Sequence, residues 1–283
     1  MPVAQLLCEG GNNSPDVRLL SKLLAGFCEV KPQGAKYGMG ERIKVRRDAL
    51  RNDNIYGILD GDFITDWVSP TGTVVDWTSK DQSTHFGWRW ERKEIENYLI
   101  DPAIVEKALG NSAPDMEMFS NALKAARDQI SVYQAARLAL AASRVPIKNI
   151  PSAFGLKRGR EKHFFPENFD KESCLTQINL LMEQYQETQQ VKKQSVVEAF
   201  MKYLPECETG GCRNLHFLHA FAGKDLFWAM DKWLSDNGFQ GAGAFRERVL
   251  MGMQNSMDDI AEWLQEWSDL RRRIESTTPT LKG

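Results

Sequence analysis

The sequence predicts an α/β domain, a mainly parallel sheet with flanking helices over residues 1–102, followed by an α-helical region over residues 103–283. Three observations carry this reading. Short apolar runs alternate with helix-like segments up to Pro102, the pattern of parallel strands joined by covering helices. Strand signals nearly vanish after Pro102. The remaining apolar residues then recur at steps of three and four, the period of a half-buried helix.

Residues 3–8 are an apolar run that ends at Glu9-Gly10-Gly11. A helix follows over residues 15–26, with Val17, Leu20 and Leu24 along one side; Ser14 before Pro15 is a good start, since Ser caps and Pro fits the first turn. A second strand fits residues 27–30. Gly34, Gly38 and Gly40 then loosen the chain before a basic helix that carries Arg42, Lys44, Arg46 and Arg47. The third strand, residues 55–59, runs directly into Asp60-Gly61-Asp62. Residues 74–77 and 86–90 read as later strands, with an antiparallel arrangement open, and residues 91–100 return to helix before Asp101-Pro102.

In the second half the clearest helix spans about residues 242–274, where Leu250, Met253, Met257, Ile260, Leu264 and Trp267 form one apolar stripe. Such a stripe is buried either inside the chain or in a dimer seam. Trp228, Trp233, Trp263 and Trp267 occur at helical spacings and read as core. Pro146, Pro151, Gly155, Gly159 and Pro166 make residues 145–170 an irregular connection.

Composition narrows the function classes. The chain has 283 residues, 42% hydrophobic and 26% charged, with 36 Lys and Arg against 38 Asp and Glu for a formal net charge of −2. That balance fits a globular chain and singles out no partner. No run approaches the roughly 18 apolar residues of a membrane helix; Arg137 interrupts even residues 135–142. The start of the chain has no basic segment and meets Glu9 too early for a secretory apolar stretch. Five scattered cysteines suit a reducing compartment, so a cytoplasmic protein is expected.

In an open α/β sheet, functional groups collect just past the carboxyl ends of the strands. Glu9 follows the first predicted strand, and Asp60 and Asp62 follow the third; in an extended segment alternate residues share a side, so the two Asp side chains converge. Three carboxylates in one crevice repel unless a cation neutralises them, and hard oxygen ligands suit Mg²⁺ or Mn²⁺. Arg42 and Arg46 share a helix face expected close to the strand ends, where they would contact substrate phosphates. Lys157, Arg158, Arg160 and Lys162 mingle with Phe154, Phe164 and Phe165, a mixture that suits backbone phosphates and unpaired bases. A solvated loop anchored by its Phe residues reads equally well for that second cluster.

Leu6-Leu7-Cys8-Glu9-Gly10 and Ile58-Leu59-Asp60-Gly61-Asp62-Phe63 resemble the Glu-Gly and Asp-x-Asp signatures of Toprim domains. Glu94-Ile95-Glu96-Asn97-Tyr98-Leu99 and Gly223-Lys224-Asp225-Leu226 resemble a Toprim-like family of bacterial anti-phage proteins related to OLD nucleases, often encoded beside an ABC-type ATPase. The resemblance covers the chain from Val3 to about Pro102 and the helical half only at the Gly-Lys-Asp segment. It implies a metal-dependent nuclease acting on RNA or DNA, restrained or delivered by the ATPase, with Glu9, Asp60, Asp62, Glu94, Glu96 and Lys224 at the site. A homodimer is expected in the active form on a separate ground, because pairing two basic surfaces adds phosphate contacts to a bent or folded substrate. Gly11-Asn12-Asn13-Ser14-Pro15 separates the Glu-Gly pair from Asp16, a departure that leaves Asp16 between site acid and first-turn helix acid. Glu94 and Glu96, two apart on a helix, would lie about 200° apart around its axis and not reach one ion together.

Three other readings compete. Asp60-Gly61-Asp62 also resembles the nucleophile strand of haloacid-dehalogenase phosphatases, although Ile64 stands where Thr or Val is usual. A topoisomerase or primase would need accessory domains for which the helical half offers little room. A regulatory subunit with inactive acids is the non-enzymatic option. Cys207, Cys212, His216 and His219 form a C-x4-C-x3-H-x2-H spacing with four zinc-capable side chains, against which stands a structural role in a helix.

Overall fold

The computed structural model describes residues 3–34, 38–63, 69–143 and 193–277, together with Glu172, Leu175, Thr176, Asn179 and Glu183. Two compact units divide the chain: Met1–Ala135 with Leu204–Gly283, and Ala136–Tyr203. No helix among the described residues is long and apolar enough to cross a membrane.

Five strands form one sheet: β1 (Gln5–Cys8), β2 (Glu29–Pro32), β3 (Ile55–Leu59), β4 (Val75–Thr78) and β5 (His85–Arg89), in the order β2-β1-β3-β5-β4. β2, β1, β3 and β5 are parallel neighbours, and β4 pairs antiparallel with β5 at the edge. The parallel strands at the centre are the apolar ones, as burial on both faces requires: every residue of β3 is buried. Pro32 lies in the edge strand β2, where a missing N–H is tolerated. The expected second strand thus begins two residues later, and the expected pair of later strands divides its roles, with β5 joining the parallel set.

The described helices are α1 (Pro15–Leu23), α2 (Met39–Leu50), α3 (Glu96–Leu99), α4 (Pro102–Leu109), α5 (Met116–Ser143), α6 (Lys193–Cys207), α7 (Cys212–Leu215), α8 (Phe217–Ala220), α9 (Gly223–Asp236), α10 (Gly241–Asn255) and α11 (Gln265–Ser276). Ser14 caps α1, its hydroxyl accepting from the Val17 N–H with Pro15 in the first turn. Leu19, Leu20 and Leu23 are buried. The change to helical structure at Pro102 falls inside the first compact unit, which continues through α4.

Two expected helices are corrected. The stripe over residues 242–274 is not one helix: α10 ends at Asn255, a short 3-10 turn spans Ile260–Trp263, and α11 starts at Gln265. Ser256 turns extended, its hydroxyl accepts from the Asp258 N–H, and Asp259 accepts from the Ala261 N–H, so local side-chain bonds outcompete helix continuation. Met257 is 99% exposed in the break, whereas Leu250, Met253, Ile260 and Trp267 are buried inside the chain, which takes the stripe away from a dimer seam. Likewise only Glu96–Leu99 of the segment 91–100 is α-helical.

Trp263 and Trp267 fill the core as expected, and Trp233 meets Phe119 edge-on at 5.9 Å. Trp228 does not. The buried face of α9 carries Leu226, Phe227, Met230 and Leu234, and Trp228, 200° from Met230 at 100° per residue, faces out with 83% of its surface exposed.

Candidate active site

Because β1 and β3 are parallel neighbours, their carboxyl ends share one edge of the sheet, and Glu9 and Asp60 follow directly on Cys8 and Leu59. The Asp60 N–H donates to Glu9 Oε1 at 3.4 Å. Asp60 Oδ1 is buried and has no hydrogen-bond partner among the described residues. Burial, reinforced by the charges of Asp16, Glu9 and Asp62, holds the Asp60 carboxyl well above the usual range, with Lys224 pulling the other way.

Asp16 belongs to this cluster. Burial raises its pKa to about 6; its own backbone hydrogen bond opposes the rise, Glu96 and Glu9 add to it, and Lys224 again lowers it. It also stands in the first turn of α1, so the macrodipole and the site act on one carboxylate. Arg89, at the end of β5, donates from Nη1 to the Asp60 carbonyl at 3.1 Å. Burial lowers its pKa while the charges of Asp62, Glu9 and Asp60 work against that fall.

Asp60, Gly61 and Asp62 do not continue as an extended segment. The Gly61 N–H donates to the Arg92 carbonyl at 3.1 Å and the Asp62 N–H to the Lys93 carbonyl at 2.8 Å, while Asp62 takes a left-handed φ of 46°. A Cβ on Gly61 would lie 2.3 Å from the Arg92 oxygen, so only glycine admits this docking. The two Asp are therefore brought together by a turn held against residues 92 and 93, not by strand alternation.

The segment from Glu91 to Ile100 is buried throughout, charged residues included. Asn97, fully buried, organises it: its Oδ1 accepts from the Glu94 N–H at 2.9 Å and the Gly223 N–H at 3.1 Å, and its Nδ2 donates to the Phe221 carbonyl at 2.9 Å. The start of α9 is thereby pressed onto α3. A Cβ on Gly223 would lie 2.4 Å from the Asn97 nitrogen, which is why this helix opens with glycine. Lys224 follows. Its N–H donates to Glu94 Oε2 at 2.9 Å, and its ammonium lies 3.6 Å from Glu94 Oε1 and 3.6 Å from Glu96 Oε2. Arg246 Nη1 reaches Glu96 Oε1 at 3.4 Å.

Glu94 and Glu96 therefore converge, contrary to the helical expectation, because Glu94 precedes α3 and the 200° separation does not apply to it. Burial would lower the Lys224 pKa, but Glu96, Glu94, Asp60 and Asp16 together outweigh it and hold the ammonium above the ordinary lysine value.

The donor set of Glu9, Asp60 and Asp62 is all oxygen, and the chemistry of the buried Asp60 Oδ1, without a partner among the described residues, suits a hard divalent cation. Among the described residues, no group of three or more His, Cys, Asp and Glu side chains is gathered closely enough to hold a metal ion. The three acids share the sheet edge without closing into a ligand set, an arrangement that mutual repulsion favours. Cys8 is no nucleophile: burial, followed by Asp16, Glu9 and Asp60, pushes its thiol up to about 12.

The other predicted residues fall elsewhere. Arg46 donates to the Gln5 side chain at 2.9 Å, and Gln5 is the first residue of β1, so Arg46 is placed at the opposite edge of the sheet from Glu9. The reason is the direction of α2, whose next residue, Arg47, bonds the Ile55 carbonyl at the start of β3. Arg42 is in the first turn of α2. Lys157, Arg158 and Arg160 lie outside the described residues. Cys207, Cys212, His216 and His219 do not form a metal-holding group among the described residues. His219, lowered to about 3 by burial and then by Arg92, His216 and Lys93, is a neutral imidazole.

Sequence reasoning missed Arg89, Asn97 and Arg246 and left Asp16 open. Arg89 lies within the predicted strand 86–90 and Asn97 within the segment Glu94–Leu99, each without an assigned role, whereas nothing in the spacing of Arg246 connects it to Glu96, 150 residues away. No protein-family model matches the chain, and no curated protein matches it.

Proposed function

We propose that the chain is a Toprim-like, metal-dependent nuclease that cleaves phosphodiester bonds in RNA or DNA. The observation that carries this reading is Asp60, the first residue beyond the central strand β3: its Oδ1 is buried without a partner among the described residues, and burial followed by the carboxylates of Asp16, Glu9 and Asp62 raises its pKa. A fold gains little from gathering these acids at one edge, since each raises the cost of ionising the others even with Lys224 and Arg89 beside them. Functional sites are where such costs are retained.

Glu9, Asp60 and Asp62 are the residues that would hold Mg²⁺ or Mn²⁺. When bound, such an ion polarises the phosphate and makes water a stronger nucleophile near neutral pH. Asp16, with a pKa near 6, can hold a proton at its carboxylate and pass it to a leaving oxygen, or accept one from water. The Lys224 ammonium, fixed by Glu94 and Glu96, supplies positive charge where the phosphate becomes more negative. Arg42 offers a phosphate contact.

A nuclease active whenever folded would damage its host, so the reading includes restraint by a partner. The family resemblance supplies the class: an ABC-type ATPase in a cytoplasmic anti-phage system. The released nuclease is a homodimer in this reading, because two paired basic surfaces hold a bent substrate by more phosphates than one. The test is cleavage of labelled RNA, including bulk tRNA, and of DNA, with Mg²⁺ or Mn²⁺. Glu9→Ala and a chelator should each reduce cleavage by about a hundredfold or more. Undiminished cleavage by Glu9→Ala would remove the site from the reaction.

A further inference from the structure

We propose that Trp228 is a stacking platform for an unpaired base of the nucleic-acid strand engaged by the carboxylate edge, an inference that rests on the nuclease reading. An indole with 83% of its surface in solvent forgoes most of the burial that usually stabilises Trp. It does so beside the candidate site. Lys224 and Trp228 are four residues apart on α9, on one face and about 6 Å apart along the axis, within the length of a single nucleotide.

Trp228 borders three hollows, two of which it shares with Lys224 and with Tyr133. One, of about 170 Å³, is lined by Glu96, Lys224, Phe227, Trp228 and Arg246 among others, so it runs from the site to the indole and carries two cations. The other, of about 480 Å³, lies among Ile130, Tyr133, Asp225 and Trp228, with Tyr133 a second exposed aromatic ring.

The occupant follows from this chemistry: a lysine and an arginine that suit a phosphate, beside carboxylates that would hold a cation for it, share one hollow with an open aromatic face. A nucleotide presents the matching groups, an anion joined through a sugar to a flat ring. The acids that share a hollow with Trp228 are engaged within the chain: Glu96 pairs with Lys224 and Arg246. Asp225 accepts from Gln134 Nε2 at 2.6 Å, and Asp231 accepts from the Ala242 N–H at 2.7 Å. Stacking is indifferent to base identity, so the platform holds a single strand in place without reading its sequence.

The test uses the full chain carrying Glu9→Ala, which leaves an oligonucleotide intact, and measures anisotropy of short unstructured RNA and DNA oligonucleotides and of an abasic strand of the same length. Adding Trp228→Ala should weaken binding of the base-bearing strand by roughly 5- to 100-fold and leave the abasic strand unaffected. Trp228→Phe should keep most of the affinity. Because the side chain is exposed, circular dichroism should show both variants folded.

Equal binding of the base-bearing strand with and without Trp228 would overturn the platform and leave the nuclease reading standing. Equal weakening of both strands would also overturn it. If Trp228→Ala instead changes only the light-scattering mass, the surface belongs to a protein partner and the proposal is wrong. A parent protein that binds no oligonucleotide at all would overturn the platform and the nuclease reading together.

Discussion

The backbone N–H of Asp60 donates to Glu9 Oε1 across 3.4 Å, joining two motifs that are 51 residues apart in the chain. Parallel pairing of β1 with β3 makes this contact possible, because each acid is the first residue beyond its strand. The contact also separates the two roles of Glu9. Its charge raises the pKa values of Asp60 and Asp16, while its oxygen accepts a backbone hydrogen bond.

Glu9→Gln keeps the acceptor and removes the charge. Thermal unfolding should show stability unchanged or raised by about 1 kcal/mol, alongside loss of cleavage. A clear loss of stability would mean that the Glu9 carboxylate is a structural partner and that repulsion at this edge is minor.

The raised acids set an unusual pH dependence. A carboxyl whose pKa is higher in the folded chain holds a proton that the unfolded chain has already released, so its contribution to stability is full below the unfolded value and is lost as pH rises through the folded one. Asp16, raised to about 6 by burial first, and Glu266, raised to about 7 by burial first, both have this sign. Metal-free protein should therefore lose stability between about pH 4 and pH 7. Asp16→Asn should flatten the lower part of that slope and raise stability above it by on the order of 1–3 kcal/mol. Denaturant midpoints across pH for both proteins check this; a midpoint that climbs through the window would contradict it.

Asn97 satisfies two N–H groups and one carbonyl in a fully buried turn. Asn97→Ala leaves all three without that partner and should cost about 3 kcal/mol, read by urea unfolding. Asn97→Asp keeps an acceptor but loses the bond to the Phe221 carbonyl and adds a buried charge, so it should not rescue stability. A loss below about 1 kcal/mol in both would show that the turn holds Glu94 and Lys224 without Asn97.

Gly223 and Gly243 both lie in helices, and a methyl group on each meets opposite surroundings. At Gly223 it would sit 2.4 Å from the Asn97 nitrogen, whereas nothing stands within 4 Å at Gly243. Gly223→Ala should destabilise by roughly 2–3 kcal/mol by driving α9 off α3. Gly243→Ala should stabilise by up to about 1 kcal/mol through helix propensity. Paired denaturation curves decide it, and equal effects at the two positions would contradict the close packing of α9 against α3.

Much of the sheet is legible in the sequence because its parallel strands are short apolar runs closed by turn residues. Ile55–Leu59, buried at every position, is read to the residue from Asn54 before it and Asp60-Gly61 after it. Ser14-Pro15 marks the start of α1 for an equally local reason. The segment from Glu91 to Ile100 is not legible that way. Its charged residues suggest an exposed helix, but they are buried by bonds to distant partners: Glu266 accepts from the Glu91 N–H at 2.6 Å and from the Tyr98 hydroxyl at 2.7 Å, and Arg92 pairs with Asp101 at 2.7 Å. Periodicity carries no information about such tertiary bonds. The same holds for Trp228, whose helical spacing suggests core although Phe227 and Met230 already take the inner face. Asp60 and Asp62 are placed at the correct strand end by sequence, but the left-handed turn at Asp62 depends on the carbonyls of residues 92 and 93, which only the fold supplies.

A divalent-cation site at the Glu9–Asp60 edge is most directly tested by calorimetric titration of Mn²⁺ into the metal-free protein near pH 6, the pKa of Asp16, with Asp60→Asn as control. The wild-type protein should bind with release of protons, since Asp60 and Asp16 hold them against burial and neighbouring charge and a cation would displace them. Asp60→Asn should bind at least about tenfold more weakly. Absence of Mn²⁺ binding to the wild-type protein, or equal binding by Asp60→Asn, would contradict a metal site at this edge.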